Sequence, residues 1–376
     1  MKILHIGPDS QFIQYLSHVF EAVAPGASRY LITGASDVSR LRFPVHAGAA
    51  SILSSGRLGL VLIPLQVQSY DMIIVHGMGP HGVAAFLSSP RKTVRVWSGW
   101  GFDYYGDDRN PNAGLVSPGT SALMTDKTLP SVRYSGLKKA ARQMLAFATR
   151  KAAKRTDYFS APIPSDFDVF KRRFSKFSGA YAQLNYGSVA DTFAQGLSTG
   201  RGSNILVGNS ASQTNNHVDI FHMLARHNLG SRKVIVPLSY GDPIYRKNLI
   251  ACGNEILGDA FMPLVDFLPL DQYCSIVASC NVVVMNQLRQ QALGNIGAAL
   301  YQGAHVFLDP MNPLYRLFKE NGAFVRSTHD LALSSLPLTN LPNDQIAKNR
   351  DVLEGFWGHE QIRANVEALL AKATSA

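Results

Sequence analysis

A single arginine set among side-chain amides marks the stretch of the sequence best suited to bind phosphate. Arg289 lies in the run from Asn286 to Ile296, after a short apolar segment and before a helix-length one, and Gln290 and Asn295 lie close to it. An arginine can hold a diphosphate through two hydrogen bonds, and the amino-terminal end of a helix adds N–H donors and positive potential. We therefore predict that Arg289 contacts a diphosphate; a solvent-exposed arginine without a ligand is the alternative.

Three other loops have compositions that suit the same kind of ligand. The residues concerned are Gly208, Asn209, Ser210, His217, Tyr240, Leu270 and Tyr273. The small residues of the first loop leave backbone N–H groups accessible to a phosphate, whereas the tyrosines and apolar residues of the other two suit a nucleobase or a sugar. Ordinary turns, helix caps and tyrosines that pack in the core are the alternative interpretation.

A further loop, from Val96 to Tyr105, places one carboxylate among aromatic side chains. Aromatic faces such as that of Trp100 bind sugar rings, and burial of Asp103 would raise its pKa towards the range useful for taking a proton from a hydroxyl group. Core aromatics with a capping aspartate would give the same pattern. The residues expected to share this edge of the sheet are Gly7, Asp9, His76, Gly77, Trp100 and Tyr105.

Short apolar runs separated by helix-length segments supply the elements that would position these loops. These runs show no clean alternation, as expected of strands that are buried on both faces of a parallel sheet. The ten runs are Ile3 to Ile6, Tyr30 to Thr33, Met72 to Val75, Val94 to Trp97, Tyr158 to Ala161, Asn204 to Val207, Lys233 to Val236, Phe261 to Leu264, Val282 to Met285 and His305 to Leu308. Because ligands bind beyond the carboxyl ends of such strands, the loops described above should converge.

The predicted strands fall into two series, separated by a segment of small and polar residues from Ser188 to Ser203. We predict an α/β domain at 1–190, a second α/β domain at 204–340, and a helical tail at 341–376 that packs across both. The segment from Gly106 to Thr128 has no clear period and is predicted to be a long loop.

The charge balance favours an anionic partner. The chain has a formal net charge of +10, which favours polyanions or anionic membranes. Eight Lys or Arg residues and no acid occur from Arg133 to Arg155, interleaved with apolar residues. This segment is predicted to form a helix that lies on an anionic bilayer, the alternative being a solvated helix face. No export signal or membrane-spanning stretch is recognisable, so we expect a soluble or peripheral protein.

Neither the cysteines nor the acidic pair predicts a metal site. Cys252, Cys274 and Cys280 lack the spacing of metal ligands. Asp166 and Asp168 would suit a divalent cation, but Ser165 followed three residues later by an acid resembles a capping box at the start of a helix. We therefore expect no metal.

In their order and composition these segments resemble the bacterial 4-acetamido-4,6-dideoxy-D-galactose (Fuc4NAc) transferases of glycosyltransferase family 56. The matching segments are His76-Gly77, Trp100-Gly101 with Asp103 and Tyr105, Ile205 to Ser210, Val236-Pro237 with Tyr240, and Arg289-Gln290-Gln291 followed by Gly294. The resemblance implies the GT-B fold, in which two Rossmann-like domains with parallel sheets face each other across a cleft.

The resemblance also implies a donor, an acceptor and a location. The donor would be a dTDP-activated deoxyamino sugar, with no separate cofactor. The acceptor would be a polyprenyl-diphosphate-linked saccharide at the inner face of the bacterial inner membrane, in surface polysaccharide synthesis such as that of enterobacterial common antigen or O-antigen. The residues that would surround the nucleotide diphosphate are Gly208, Asn209, Ser210, Tyr240, Arg289, Gln290 and Asn295. Arg289 would neutralise charge on the departing diphosphate. Asp103 would face the acceptor, as a base if the configuration inverts and as a group that orients the substrate if it is retained. Ala292 and Asn295 stand where glycine and a hydroxyl residue are expected.

Three other classes compete with a transferase. A nucleotide-sugar epimerase of the same twin fold would convert the donor without an acceptor. A non-catalytic nucleotide- or polyanion-binding protein would explain the charge, but no aromatic platform for RNA accompanies it, so nucleic acid is not expected as a partner. A dinucleotide oxidoreductase is disfavoured because neither half has a G-x-G-x-x-G turn after its first strand.

Overall fold

This computed structural model describes residues 1–46, 48–53, 57–107, 110, 112–125, 136–189, 202–333, 335–336 and 339–374. The chain forms two compact units. The first unit comprises 1–111, 134–188 and 359–376, and the second comprises 112–133 and 189–358. Among the described residues, no helix is both long enough and apolar enough to cross a bilayer.

The first unit contains a seven-stranded parallel sheet. Its strands are β1 (Ile3–Pro8), β2 (Ser28–Thr33), β3 (Ala50–Leu53), β4 (Met72–His76), β5 (Val94–Ser98), β6 (Tyr158–Ser160) and β7 (Ala180–Tyr181), in the order β3-β2-β1-β4-β5-β6-β7. Its α-helices are Gln11–Val23, Arg57–Gln66, Pro80–Ser88, Gly136–Lys154, Asp166–Arg173 and His359–Thr374. The order reverses between β1 and β4, the point at which Rossmann-like sheets bind ligands.

Helices cover both faces of this sheet. One face carries what we call the three-helix layer, made of Arg57–Gln66, Pro80–Ser88 and Gly136–Lys154. Buried residues of all three helices, Ile63, Phe86 and Ala153, share an apolar cluster with Val75 and Trp97 of the sheet. On the other face, helices Gln11–Val23 and His359–Thr374 contribute Leu16 and Val366 to a separate cluster around Ile74.

The second unit contains a six-stranded parallel sheet with the same central order. Its strands are β8 (Asn204–Val207), β9 (Val234–Pro237), β10 (Phe261–Leu264), β11 (Cys280–Met285), β12 (His305–Leu308) and β13 (Val325–Ser327), in the order β10-β9-β8-β11-β12-β13. Its α-helices are Pro118–Thr125, His217–Leu224, Pro243–Leu257, Leu270–Ala278, Leu293–Tyr301, Pro313–Glu320, Thr328–Leu333 and Asn343–Trp357. Strand β11 is buried along its whole length, so its apolar run needs no alternation.

The prediction of two parallel α/β sheets is confirmed, and ten strands lie where the apolar runs predicted them. Three strands were missed, namely β3, β7 and β13, and each lies at an edge of its sheet. Edge strands are short and partly solvated, so they lack the continuous apolar run that identifies a central strand.

Three predictions about connecting segments differ from the structure or fall outside it. The segment from Gly106 to Thr128 is not simply a loop, because it contains the helix Pro118–Thr125. Most of the predicted linker, residues 190–201, lies outside the described residues. The predicted tail forms two helices, of which Asn343–Trp357 falls in the second unit and His359–Thr374 in the first.

Candidate functional site

In the second unit the strand order reverses between β8 and β11. The loops that follow these two strands hold most of the predicted phosphate-binding residues. Gly208 follows β8 directly, and Asn286 follows β11. Because β8 and β11 are hydrogen-bonded parallel neighbours, their carboxyl ends deliver both loops to one place. The predicted convergence of these two loops is therefore observed.

Gly208 turns the chain in the left-handed region, with φ +68°, where only glycine is free of strain. A Cβ at this position would lie 2.5 Å from Nε2 of His217 and 3.0 Å from Oδ1 of Asn215. The turn also requires space that a side chain would fill. Asn215 supports it from below, accepting the N–H of Asn209 at 3.1 Å and donating to Ser210 Oγ at 3.1 Å.

A reciprocal amide pair joins the two loops. Asn216 donates from Nδ2 to the carbonyl of Asn286 at 3.1 Å, and Asn286 donates from Nδ2 to the carbonyl of Asn216 at 3.2 Å. Both side chains are buried. Asn216 itself adopts a left-handed conformation, with φ 53°, immediately before the helix His217–Leu224, which asparagine tolerates better than most residues.

Arg289 lies on the second of these loops, which contacts the Gly208 turn through its neighbour Gln291. Gln291 donates from Nε2 to Asn209 Oδ1 at 3.1 Å and accepts the Thr214 hydroxyl at 2.8 Å. The Arg289 guanidinium donates to the Gln290 carbonyl at 3.2 Å. This places a partly exposed cation beside the turn, and Gln290, which is buried, contributes its backbone to hold that cation.

Ala292 begins the helix Leu293–Tyr301 in a strained conformation. Its φ is 59°, in the left-handed region that costs an ordinary residue roughly 1–2 kcal/mol. The strain accounts for the glycine expected here from the family resemblance. Because the first N–H groups of this helix have no partner within the helix, they are available to an anion at the same edge of the sheet.

The tyrosines predicted to contact a base or a sugar are fixed by amides of the two loops. Tyr240 accepts Asn209 Nδ2 at 2.9 Å while 55% of the residue stays exposed. Tyr273 accepts Asn295 Nδ2 at 3.0 Å. Leu270 begins the helix Leu270–Ala278 that carries Tyr273. Tyr240 is therefore tied to the Gly208 turn, and Tyr273 is tied to the helix that follows the Arg289 loop.

Two buried polar atoms of this region face no protein partner. Within the described part of the chain, neither His217 Nε2 nor Gln287 Oε1 has a hydrogen-bond partner, and both residues are fully buried. The other ring nitrogen of His217 shares a hydrogen bond with the Tyr245 hydroxyl at 3.0 Å. Burial lowers the pKa of His217 to about 3, so this imidazole is neutral at physiological pH. His217 is thus a support beneath Gly208 rather than a cation facing a phosphate.

In the first unit, Asp103 ties together the loops that follow β4 and β5. Its carboxylate accepts the N–H of Met78 at 2.8 Å, the indole N–H of Trp97 at 2.7 Å and the N–H of Trp100 at 2.9 Å. Burial raises the pKa of Asp103, although these three donors act in the opposite direction. The expected rise in pKa is present, and the carboxylate also has a clear structural task.

His76 belongs to a buried polar network that the sequence did not reveal. It shares hydrogen bonds of 3.0 Å with His5 and with the Tyr186 hydroxyl. Tyr186 also accepts the indole N–H of Trp100 at 2.5 Å and shares a hydrogen bond of 2.6 Å with Ser98. Burial lowers the pKa of His76 to about 3, so the network contains a neutral imidazole. The only sequence signal for it is that His5 and His76 are polar residues within otherwise apolar strands.

The other residues predicted in the first unit have identifiable positions. Gly7, on β1, would meet Ile13 and His76 if it carried a Cβ. Gly77 has φ +71° and lies against Phe102 and Trp100. Asp9 accepts the N–H groups of Arg42 and Phe43, so it holds a loop.

The capping-box interpretation of Ser165 is wrong. Ser165 makes no side-chain capping hydrogen bond, and Asp168 forms an exposed ion pair with Lys171 at 2.9 Å. Asp166 is fully buried and accepts the hydroxyls of Tyr104 and Tyr105 at 2.5 and 2.6 Å. Tyr105 is therefore engaged with Asp166. Among the described residues, no group of three or more His, Cys, Asp or Glu side chains could hold a metal ion.

Comparison with known families supports the resemblance found in the sequence. Residues 181–337 match the family model described as 4-alpha-L-fucosyltransferase glycosyl transferase group 56. The match covers the sheet of the second unit and the loops of the Gly208 and Arg289 region. The family resemblance is confirmed over this stretch.

Comparison with solved structures confirms the GT-B fold. HepE from Anabaena, solved with UDP and glucose, has a TM-score of 0.62 at 14% identity, covering 99% of this chain and 100% of that chain. Sucrose-phosphate synthase from Thermosynechococcus elongatus has a TM-score of 0.62 at 12% identity, with 100% of both chains covered. AviGT4, a glycosyltransferase of avilamycin A biosynthesis, has a TM-score of 0.56 at 10% identity, covering 100% of this chain and 99% of that chain.

Proposed function

We propose that this chain, a glycosyltransferase of the GT-B fold, transfers a deoxyamino sugar of the Fuc4NAc type from a dTDP-activated donor to a polyprenyl-diphosphate-linked saccharide. The donor site is assigned to the second unit and the acceptor side to the first. Support for the donor comes from the group 56 match and from HepE, which was solved with UDP-glucose.

The observation that carries the donor assignment is the junction of the Gly208 turn and the Arg289 loop at the carboxyl ends of β8 and β11. It combines a turn in which Gly208 has no side chain, a cation and the start of the helix Leu293–Tyr301. These are the groups that stabilise a diphosphate and the charge that develops on it when the glycosidic bond to the sugar breaks. Arg289 is assigned to this neutralisation, without a metal cofactor.

The acceptor side is assigned to the aromatic surface beside Asp103. Phe12, Trp100 and Phe102 lie together, since Phe12 and Trp100 make an edge contact with ring centroids 5.8 Å apart and both Trp100 and Phe102 lie against Gly77. Phe12 and Phe102 are about half exposed, at 48% and 57%. Exposed aromatic rings over a glycine suit the apolar face of a sugar. Asp103 is the proposed base if the configuration inverts, and it orients the Trp100 loop in either case.

The polyprenyl acceptor places the reaction at a membrane, and we assign bilayer contact to the basic segment Arg133 to Arg155 at the inner face of the bacterial inner membrane. Residues 133–135 of this segment lie outside the described residues. The remainder is the helix Gly136–Lys154, whose described Arg142, Arg150, Lys151 and Lys154 side chains are exposed, followed by Arg155. Arg155 is partly buried and donates to the carbonyls of Leu87 and Ser89. Cations at an anionic surface contribute about 1 kcal/mol each to binding.

A thermal-shift panel of dTDP, UDP, GDP and NAD tests the donor assignment. We expect the largest rise in melting temperature with dTDP, and no rise with any nucleotide in Arg289→Ala. Equal stabilisation of the wild type and Arg289→Ala would contradict the assigned site. Incubation of the dTDP-sugar with and without lipid-linked acceptor then separates transfer from epimerisation, because an epimerase consumes donor without an acceptor.

A further inference from the structure

We infer that the helix Arg57–Gln66 inserts into an anionic bilayer and that the outer surface of the three-helix layer is the membrane-binding face of the first unit. The inference deepens the proposed function and rests on it for the lipid-linked acceptor. It adds an apolar insertion element that the charge pattern of the sequence did not indicate.

The first observation is an exposed apolar stripe on the helix Arg57–Gln66. Leu58, Val61, Leu62 and Leu65 have exposed fractions of 63%, 69%, 38% and 76%. Their spacing of three, one and three residues places them on one side of the helix. The opposite side contains Ile63, which is fully buried in the core. The helix is therefore apolar on both sides, and its outer side faces solvent.

The second observation is that the three helices of this layer contain no acidic residue. The helices Arg57–Gln66, Pro80–Ser88 and Gly136–Lys154 together have seven Lys or Arg residues and no Asp or Glu. An exposed apolar stripe in the same layer as a cationic helix is typical of peripheral membrane attachment, since apolar burial and attraction to anionic lipids act together.

The third observation is that both components lie on the same side of the sheet. Pro80–Ser88 packs against Arg57–Gln66 on one side and Gly136–Lys154 on the other, and all three contribute to one core cluster. The helix Gly136–Lys154 also exposes apolar side chains between its cations, with Met144 at 74% and Phe147 at 57% exposure. Lys151 lies over the Phe147 ring, with its ammonium 4.6 Å from the ring centroid.

The charge decides between a bilayer and a protein as the occupant. A protein partner for an apolar stripe needs a complementary surface but no particular charge, whereas seven cations without an acid match the anionic headgroups of a bilayer. In addition, helices that lie antiparallel to the strands they connect begin at the carboxyl edge of the sheet. A bilayer bound to the three-helix layer would therefore lie beside the first unit, whose sheet has Asp103 at its carboxyl edge.

Cosedimentation with vesicles tests the inference on the full chain. The vesicles are phosphatidylcholine alone or phosphatidylcholine with phosphatidylglycerol, and the variant is Leu58→Ser with Leu65→Ser. We expect wild-type protein to bind the anionic vesicles more strongly than the neutral ones. The double variant should bind the anionic vesicles at least about tenfold more weakly than the wild type. The matched control is Leu333→Ser in the second unit, where the leucine is 88% exposed, and it should bind as the wild type does.

A second variant tests the electrostatic part. Arg150→Gln with Lys151→Gln should weaken binding to anionic vesicles by about fivefold per charge at low salt. It should leave binding to neutral vesicles unchanged. Thermal stabilisation by dTDP should be the same in all of these variants, so a loss of vesicle binding is separable from a failure of the donor site.

The inference is overturned if Leu58→Ser with Leu65→Ser binds anionic vesicles as tightly as the wild type. It is also overturned if neutral vesicles bind equally well, because the charge match would then be irrelevant. A wild-type dimer in sedimentation velocity that the double variant makes monomeric, without vesicle binding, would assign the stripe to a second copy of this chain instead.

Discussion

The two units share the strand order at the centre of their sheets but line the carboxyl ends of the central strands with different polar groups. In the second unit these are carboxamides and a cation, with Asn209, Gln291 and Arg289 beside the Gly208 turn. In the first unit they are imidazoles, a phenol and a carboxylate, closed into networks around Tyr186 and Asp103. The same sheet geometry therefore presents unlike surfaces.

The difference lies in what the polar groups at the two strand ends bond to. Around Tyr186 the hydroxyl meets His76, Ser98 and Trp100, so the network braces aromatic rings. Around Gly208, strained backbone and unpartnered buried atoms of His217 and Gln287 occur among the described residues. Buried polar atoms without partners are costly, and such costs cluster where a ligand completes the site. Strain and unpaired atoms thus distinguish the proposed donor edge around Gly208 from the proposed acceptor edge, where the Tyr186 network holds the aromatic rings in place.

The comparison is tested most strongly at Arg289. Arg289→Ala should lower kcat by about 100-fold to 1,000-fold, since it removes the charge that stabilises the departing diphosphate. Nucleotide affinity should fall with it, as measured by calorimetry with dTDP. Arg226→Ala, which removes an exposed arginine of the same unit, is the control and should change neither value. Full activity in Arg289→Ala would remove the distinction between the two units.

Asp103→Asn should distinguish the roles of the two units, because it should lower turnover without changing donor binding. The amide cannot accept all three N–H donors without bringing its own N–H groups against one of them, and it cannot take a proton, so kcat should fall by about 100-fold. Calorimetry should show unchanged affinity for dTDP. If the affinity falls as much as kcat, the first unit does not have an acceptor role separate from donor binding.

Acid should weaken the second unit through His217. The pKa of His217 in the folded protein is about 3, below the ordinary 6.5, so the unfolded chain binds a proton first as the pH falls. The contribution of neutral His217 to the free energy of unfolding is therefore fully present only above pH 6.5. Between pH 6.5 and pH 5 this histidine should cost about 2 kcal/mol of unfolding free energy. Urea denaturation across this range measures the loss, and His217→Gln should reduce the pH dependence by this amount while leaving the contribution of His76. A slope that His217→Gln leaves unchanged would mean that folding does not lower the pKa of His217.

The smallest effect is expected at the turn itself. Gly208→Ala should weaken dTDP binding by about tenfold, because the new Cβ strains the left-handed backbone and displaces His217. Gly230→Ala is a matched control, with φ +57° and no atom within 4 Å of the added Cβ. The control should lose similar stability in urea but no affinity. Equal loss of affinity in both variants would assign the effect to strain rather than to the turn.

The sequence predicted the parts of the fold and site that depend on local pattern. Continuous apolar runs identified the central strands, and small residues after β8 identified the Gly208 turn. The helix Pro118–Thr125 was missed although Ser117-Pro118 is a usual helix start. The Ser165 capping box was predicted wrongly because the neighbouring Asp166 is buried under two tyrosine hydroxyls.

Contacts between distant segments could not be predicted from local pattern. Tyr186 lies 110 residues from His76, and Asn216 lies 70 residues from Asn286. One sequence contains no information on which polar residues of distant segments meet, because that depends on strand order and register. The exposed side of the helix Arg57–Gln66 could not be predicted for a related reason. A helix that is apolar on both sides has the composition of a buried helix.

The reciprocal pair of Asn216 and Asn286 has a kinetic consequence. Both of its hydrogen bonds are made between protein groups of the two loops, so an arriving nucleotide does not have to order them and loses less entropy on association. Capture should then proceed in one step whose rate is set by diffusional encounter.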